Sequence, residues 1–239
     1  MQLKSALYEY GVTIGESQIH IKCDSKEAIL QSVKDVKRHR EELLKYIRRH
    51  PDFQYALKPV KVTKHAPRIV KKMTKASRIA DVGPMASVAG ALADLGLESM
   101  LKCGARVAVI ENGGEIAAFT EQPIYVTIVS SCLDVSGKIG FYITRENCPI
   151  GIATSSGKTN HAISFGEADS ATVVADNSSL ADAAATAICN SILGGDVRDS
   201  IKRGLQKSME IQGIRGALVI REGQVGLAGK LPTIVKIEG

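Results

Sequence analysis

The sequence predicts an α+β protein, a layered arrangement of helices with mixed and antiparallel sheets. Three observations carry that expectation. Short segments of period-2 hydrophobicity, such as Ile19, Ile21 and Cys23 set against His20 and Lys22, mark half-buried strands. Apolar residues recur at helical spacing over residues 24–50, and helix-length segments follow at 68–80, 86–101, 179–193 and 197–209. Strands are concentrated at the start of the chain and after Gly104 rather than alternating one for one with helices.

In chain order, residues 5–14 and 17–23 form a hairpin around Gly15. Asp24 with Glu27 resembles a capping box and opens a long amphipathic helix built on Ile29, Val33, Val36, Leu43, Leu44 and Ile47, which His50-Pro51 stops. Residues 51–67 contain Pro51, Pro59 and Pro67 and read as a connector without an element of its own, placed where a hinge could lie. Helices follow over 68–80 and 86–101. The second is rich in Ala86, Ala89, Gly90, Ala91 and Ala93, so that backbones or a ligand can approach it closely, and Gly104 sits just past its end as a C-cap. The segments ARVAVI, EIAAF, IYVTIV and IGFYI then form a meander. Residues 148–169 read as strand, polar loop, strand, and SATVVAD as another buried strand. Helices over 179–193 and 197–209, the hairpin GALVIREGQVGLA and a short strand at 234–237 close the chain. No repeat of 20–50 residues is present.

The 239 residues are 44% apolar and 23% charged, a composition that excludes disordered and fibrous classes. The longest run free of Asp, Glu, Lys and Arg is 183–195, too short to span a bilayer, and the N-terminus lacks a signal-peptide apolar block, so a cytoplasmic location without membrane partners is expected. The five Cys are scattered, which suits reduced thiols. Charge is uneven: residues 34–78 hold fifteen Lys or Arg against four acids, a local +11, while the rest of the chain carries −5. With only Tyr46, Phe53 and Tyr55 available to stack on bases, the block reads as a solvated helical face, and nucleic acid is not favoured as a partner.

Three clusters could carry chemistry. In ENGGEI, Asn112, Gly113, Gly114 and Glu115 form either a tight hairpin turn or a close backbone approach to a ligand. In TSSGKTNH, Thr154, Ser155, Ser156, Gly157, Lys158 and His161 either hydrogen-bond a phosphate or ribityl chain or form a solvated turn. In LADAAATA, Asp182 and Thr186 share one helix face, where two hard oxygens either ligate Mg²⁺ or serve capping and back-bonding.

GALAD (90–94), VIENGGEI, SSG with His161, a valine-rich strand and ADAAATA stand in the same order as the hallmark segments of the ApbE-like superfamily, and the chain resembles a soluble side branch of it. The matching segments cover about residues 80–190. The resemblance implies a single domain of that kind over 1–239, with a basic helical subregion at 24–66. That superfamily includes Mg²⁺-dependent FAD:protein FMN transferases, which attach FMN through a phosphoester to a Ser or Thr hydroxyl. The family's metal pattern A-D-x-x-x-T matches Ala181, Asp182 and Thr186, and its flavin-side G-G-D/E turn matches Gly113, Gly114 and Glu115. The implied cofactors are Mg²⁺ and FAD as substrate or ligand, with Asn112, Thr154, Ser155, Ser156 and Gly157 also on the cofactor side and Lys158 and His161 as catalytic groups. The implied partners are a flavin or other phosphorylated small molecule and an acceptor protein, and a second copy could complete the site as a homodimer. The chain departs from the transferases at Ala89, where they carry Lys, and at Ser164 and Phe165, where they carry Asp and Pro. A binding protein without transfer, or an enzyme acting on another phosphorylated substrate, is the alternative.

Overall fold

The computed structural model describes residues 7–158 and 165–237. Its strands are β1 (Tyr8–Ile14), β2 (Ser17–Cys23), β3 (Val107–Asn112), β4 (Glu115–Thr120), β5 (Ile124–Thr127), β6 (Ile139–Ile143), β7 (Ile150–Ser155), β8 (Ser170–Ala175), β9 (Ile214–Arg221), β10 (Gln224–Gly229) and β11 (Thr233–Lys236). The helices are α1 (Lys26–Arg49), α2 (Asp52–Tyr55), α3 (Arg68–Ala80), α4 (Val88–Lys102), α5 (Ser178–Ser191) and α6 (Val197–Glu210). Eight strands form one sheet in the order β1-β2-β3-β4-β7-β8-β9-β10, and β11-β6-β5 form a second, with antiparallel pairing throughout.

The period-2 alternation explains the layering. Ala117, Ala153, Val173 and Val219 of the large sheet face the helices, whereas their neighbours Ala118, Ile152, Val174, Leu218 and Ile220 face the small sheet and pack on Val126, Phe141 and Ile143. The result is three layers: helices, large sheet, small sheet. Under β2–β4 the core is made with α1, α3 and α4, and under β7–β9 with α5 and α6.

Several sequence expectations are corrected in detail. Ser25, not Asp24, caps α1, its side chain accepting from the Ala28 amide at 3.2 Å, while Asp24 accepts from the Arg106 amide across to the sheet. The meander is split: after β4 the chain leaves the large sheet, because β5 and β6 bury their apolar faces against its back. The connector carries the short helix α2, anchored by buried Phe53, whose ring lies edge-on to Tyr46 at 5.3 Å. A single 3-10 turn, Pro84–Ser87, precedes α4, and Gly104 follows its end at φ +83°, as expected of a helix-terminating glycine. The second strand expected within 148–169 falls partly on 159–164, outside the described residues, and residues 165–169 are not strand.

The first turn of α5 is the most heavily tied part of the fold. Asn177 is its N-cap and accepts from the Leu180 amide at 3.0 Å. The amides of Ser178 and Ser179 donate instead to Asp94 of α4, at 2.8 and 3.0 Å, and the Ser179 hydroxyl donates to the same carboxylate. Asp94 is 5% exposed, and Lys72 of α3 stands 3.3 Å from it. Gly90 and Gly151 bring the neighbouring backbones in: a Cβ on Gly90 would lie 2.3 Å from the Ser178 carbonyl oxygen, and one on Gly151 2.2 Å from the Ser178 nitrogen. Gly151→Ala is therefore expected to lower stability by about 1–3 kcal/mol, since the clashing atoms are backbone and must move with the helix. Gly195→Ala, which meets nothing within 4 Å, serves as the control. Thermal denaturation of the two variants checks this, with a large fall in Tm for the first alone.

Candidate functional site

One face of α5, the β3–β4 turn, the end of β7 and the segments 54–57, 82–89 and 129–131 enclose a cleft of about 660 Å³. That volume falls in the range of small-molecule sites. Asp182, Thr186 and Asn190, spaced by four along α5, all line it, as successive positions on one helix face should. Asp182 is placed by the helix–helix contact just described, because Gly90 of α4 donates its amide to Asp182 Oδ2 at 2.9 Å. Asn177 holds the N-cap, so capping is not the task of Asp182.

Opposite stands the hairpin turn. Its two central residues are Gly113 at φ +67° and Gly114 at φ +111°, a backbone that side-chain-bearing residues rarely adopt. Asn112 is not in the turn but ends β3 opposite Glu115, and its buried side chain donates to the Ala89 carbonyl at 3.1 Å, fixing the start of α4. Both turn amides are engaged, Gly113 with the Gln18 carbonyl and Gly114 with Glu111 Oε1. Gly113, Gly114 and Glu115 line the cleft.

Glu115 and Asp182 both have raised carboxyls. Burial, and then the charge of Asp182, pushes the Glu115 carboxyl well above the usual carboxylate range. Burial pushes Asp182 up to about 7, with the Asp94 charge adding to the rise and the Gly90 amide opposing it. No Lys, Arg or His stands among the described residues that line the cleft, which carries Glu115, Asp182 and Asp169 as its charged groups. Among the described residues no three His, Cys, Asp or Glu side chains gather as a metal cluster. Glu115, Asp182 and Thr186 offer the cleft hard oxygens, the kind of donor that Mg²⁺ takes.

The remaining residues expected from the sequence are scattered in role. Ala181 is fully buried in the helix–sheet core and does not line the cleft. The Thr154 hydroxyl pairs with Thr172 at 2.9 Å, and Ser156 Oγ accepts from the Lys158 amide at 3.1 Å. Gly157 is a packing requirement, because a Cβ there would overlap the Gly166 carbonyl. Lys158 Nζ lies 2.6 Å from Asp169, which does line the cleft, while Lys158 itself does not. Ser155 lines the cleft with a free hydroxyl. His161 lies outside the described residues. Sequence reasoning missed Asp169, Asn190, Ser130, Ser131 and the 54–57 wall. Of these, only Asn190 had a readable signal, the repetition of the Asp182–Thr186 spacing.

Comparisons with known proteins agree with this architecture. A family model described as AbpE bacteria matches residues 2–213. A UPF0280 protein of Methanopyrus kandleri is 39% identical over 236 residues, covering 98% of this chain and 95% of the relative. One of Methanocaldococcus jannaschii is 38% identical over 229 residues, covering 95% and 93%. Among solved structures, the ApbE protein of Thermotoga maritima superposes with a TM-score of 0.62 at 13% identity, covering 94% of this chain and 97% of that one. The flavin transferase ApbE of Vibrio cholerae gives 0.58 at 11% identity over the same shares. Among the described residues no helix is long and apolar enough to cross a membrane.

The raised carboxyls set a pH dependence. Between the ordinary aspartate value of 3.8 and about 7, folded Asp182 binds more protons than the unfolded chain, so stability without divalent cations is expected to fall as pH climbs through that interval. Asp182→Asn, which keeps an oxygen for the Gly90 amide, should raise stability at pH 8 by on the order of 1 kcal/mol, about 2–4 °C in Tm for a chain of this size. Melting curves from pH 4 to 8 in chelator test both statements.

Proposed function

This chain belongs to the AbpE bacteria family, within the ApbE-like superfamily, and on that footing we propose that its cleft binds FAD with Mg²⁺ and supports transfer of FMN to a hydroxyl of an acceptor protein. The supporting observation is the uncompensated pair Glu115 and Asp182 in a cleft whose described lining has no cationic side chain. Such a lining repels a pyrophosphate unless a cation accompanies it.

Two sets of backbone amides that could hold phosphate are already used. A helix N-terminus ordinarily offers free amides to an anion, but those of Ser178 and Ser179 are taken by Asp94. The amides of Gly113 and Gly114 are taken as well. Asp182, Glu115 and Thr186 are the residues that would hold Mg²⁺, which supplies charge neutralisation at the pyrophosphate. The glycines of the turn leave room for close approach of the ligand. Transfer forms a bond between the FMN phosphorus and the acceptor oxygen and breaks the bond to AMP, which leaves. The acceptor proton passes to a base, for which His161 is the candidate. Lys158, held beside the cleft by Asp169, is the cation nearest at hand for the developing charge once it exchanges partners.

Ala89 favours a second reading, binding without transfer, because it lines the cleft where the transferases carry a Lys. Titration with FAD, with and without Mg²⁺, following bound flavin and released AMP, separates the two. Metal-dependent binding with AMP release supports transfer, binding alone supports the second reading, and no binding rejects both. Asp182→Ala should abolish metal-dependent flavin binding with the fold intact by circular dichroism. Unchanged affinity in that variant would discard the metal assignment.

A further inference from the structure

Among the described residues, the buried side chains with an unpartnered nitrogen or oxygen are those of Thr74, Ser155, Ser178 and Arg221, and of these only Ser155 lines the cleft. A buried hydroxyl without a partner costs about 1–3 kcal/mol, so such groups are rare unless a ligand or water meets them. Ser155 is 6% exposed. Its direction follows from the alternation of β7. Ile150 and Ile152 face the small sheet and the Thr154 hydroxyl is tied to Thr172, whereas Gly151 abuts the start of α5 and Ala153 packs in the core beneath α5. Ser155 continues the Gly151–Ala153 face, toward the helix that carries Asp182 and Thr186.

The far ends of β7 and α5 also meet. A Cβ on Gly157 would lie 1.6 Å from the Gly166 carbonyl oxygen, and one on Gly166 would lie 1.7 Å from the Cys189 carbonyl oxygen. With Gly151 against Ser178 at one end and Gly157 linked through Gly166 to Cys189 at the other, β7 and α5 run side by side in the same direction. Ser155, the last residue of β7, lines the same cleft as Thr186 of α5. The β7 alternation thus sets the hydroxyl on the α5 side of a cleft that Val82, Met85 and Val88 also line.

We infer that Ser155 Oγ is a ligand-binding group that donates its hydrogen bond to a phosphate oxygen of the ligand, a neutral donor in a cleft whose described lining has no cationic side chain. The inference deepens the FAD-binding reading and rests on it for the first probe. Its neighbours already have partners in the protein: Thr154 shares a hydrogen bond with Thr172, and the Ser156 hydroxyl accepts from the Lys158 amide and donates to the Ala168 carbonyl at 3.5 Å.

The test is Ser155→Ala, probed with Mg²⁺ alone, Mg²⁺·FAD and Mg²⁺·ADP. Because the hydroxyl has no partner in the protein, the variant should melt at the same temperature as the parent or higher, and the stabilisation by Mg²⁺ alone should be unchanged. Affinity for both Mg²⁺·FAD and Mg²⁺·ADP should fall about tenfold, the loss of one hydrogen bond. Loss on FAD alone would place the contact at the flavin and overturn the phosphate assignment. Equal affinity of parent and variant for both would overturn the inference while leaving the FAD reading intact. If the parent binds Mg²⁺·ADP but not Mg²⁺·FAD, the flavin reading fails and a weakened ADP affinity in the variant still upholds the inference. A marked drop in Tm would show that the hydroxyl has a structural partner, which also overturns it.

Discussion

The Asp94 carboxylate seated on the first turn of α5 is the contact on which the rest of the site depends. A helix start leaves its first amides without intrahelical partners, and they carry the positive end of the helix dipole. Asn177 satisfies one of them locally, and Asp94 reaches across from α4 to satisfy two more at 2.8 and 3.0 Å. With the amides answered from two elements and glycines admitting backbone on two sides, the helix has little freedom to slide or rotate. Its face bearing Asp182, Thr186 and Asn190 is thereby aimed at the cleft.

This arrangement sets the electrostatics. A carboxylate spent on the helix end leaves no free amides there for an anionic ligand, and its charge lies behind Asp182 and adds to the rise of that carboxyl. The second helix-to-cleft contact, from the Gly90 amide, partly opposes the rise without cancelling it. Glu115 faces the same region from the hairpin. Once ionised, Glu115 and Asp182 place negative charge in the cleft, and it is this charge that the proposed divalent cation would offset.

Much of the fold was legible because its elements bury one face only. Alternation located β2, β3 and β4, and helical spacing located α1, α5 and α6 within a few residues. The division into two sheets was not legible, since β5 and β6 show the same alternation as their neighbours and only tertiary packing decides which sheet they join. The cap of α1 was misplaced by one residue, because Asp24 and Ser25 are both good caps and the sheet claims Asp24 through the Arg106 amide. At the site, Asp182, Thr186, Glu115 and the two glycines were readable from spacing and motif order. Thr154 and Ser156 also line the cleft while their hydroxyls meet other protein groups, whereas Asn112 and Gly157 do not line it and are held by a hydrogen bond and a close contact. Asp169 and the 54–57 wall reach the cleft only through long-range packing that no local pattern encodes.

A carboxyl raised to about 7, such as that of Asp182 on the fixed α5, gives up a proton when a divalent cation takes it as a ligand. Calorimetric titration with Mg²⁺ at pH 6.5, in two buffers of different ionisation enthalpy, measures the protons exchanged on binding. Net proton release is expected as Asp182 gives up its proton, diminishing as the pH is raised above 7. Mg²⁺ binding without proton release, or no binding at all, would contradict it.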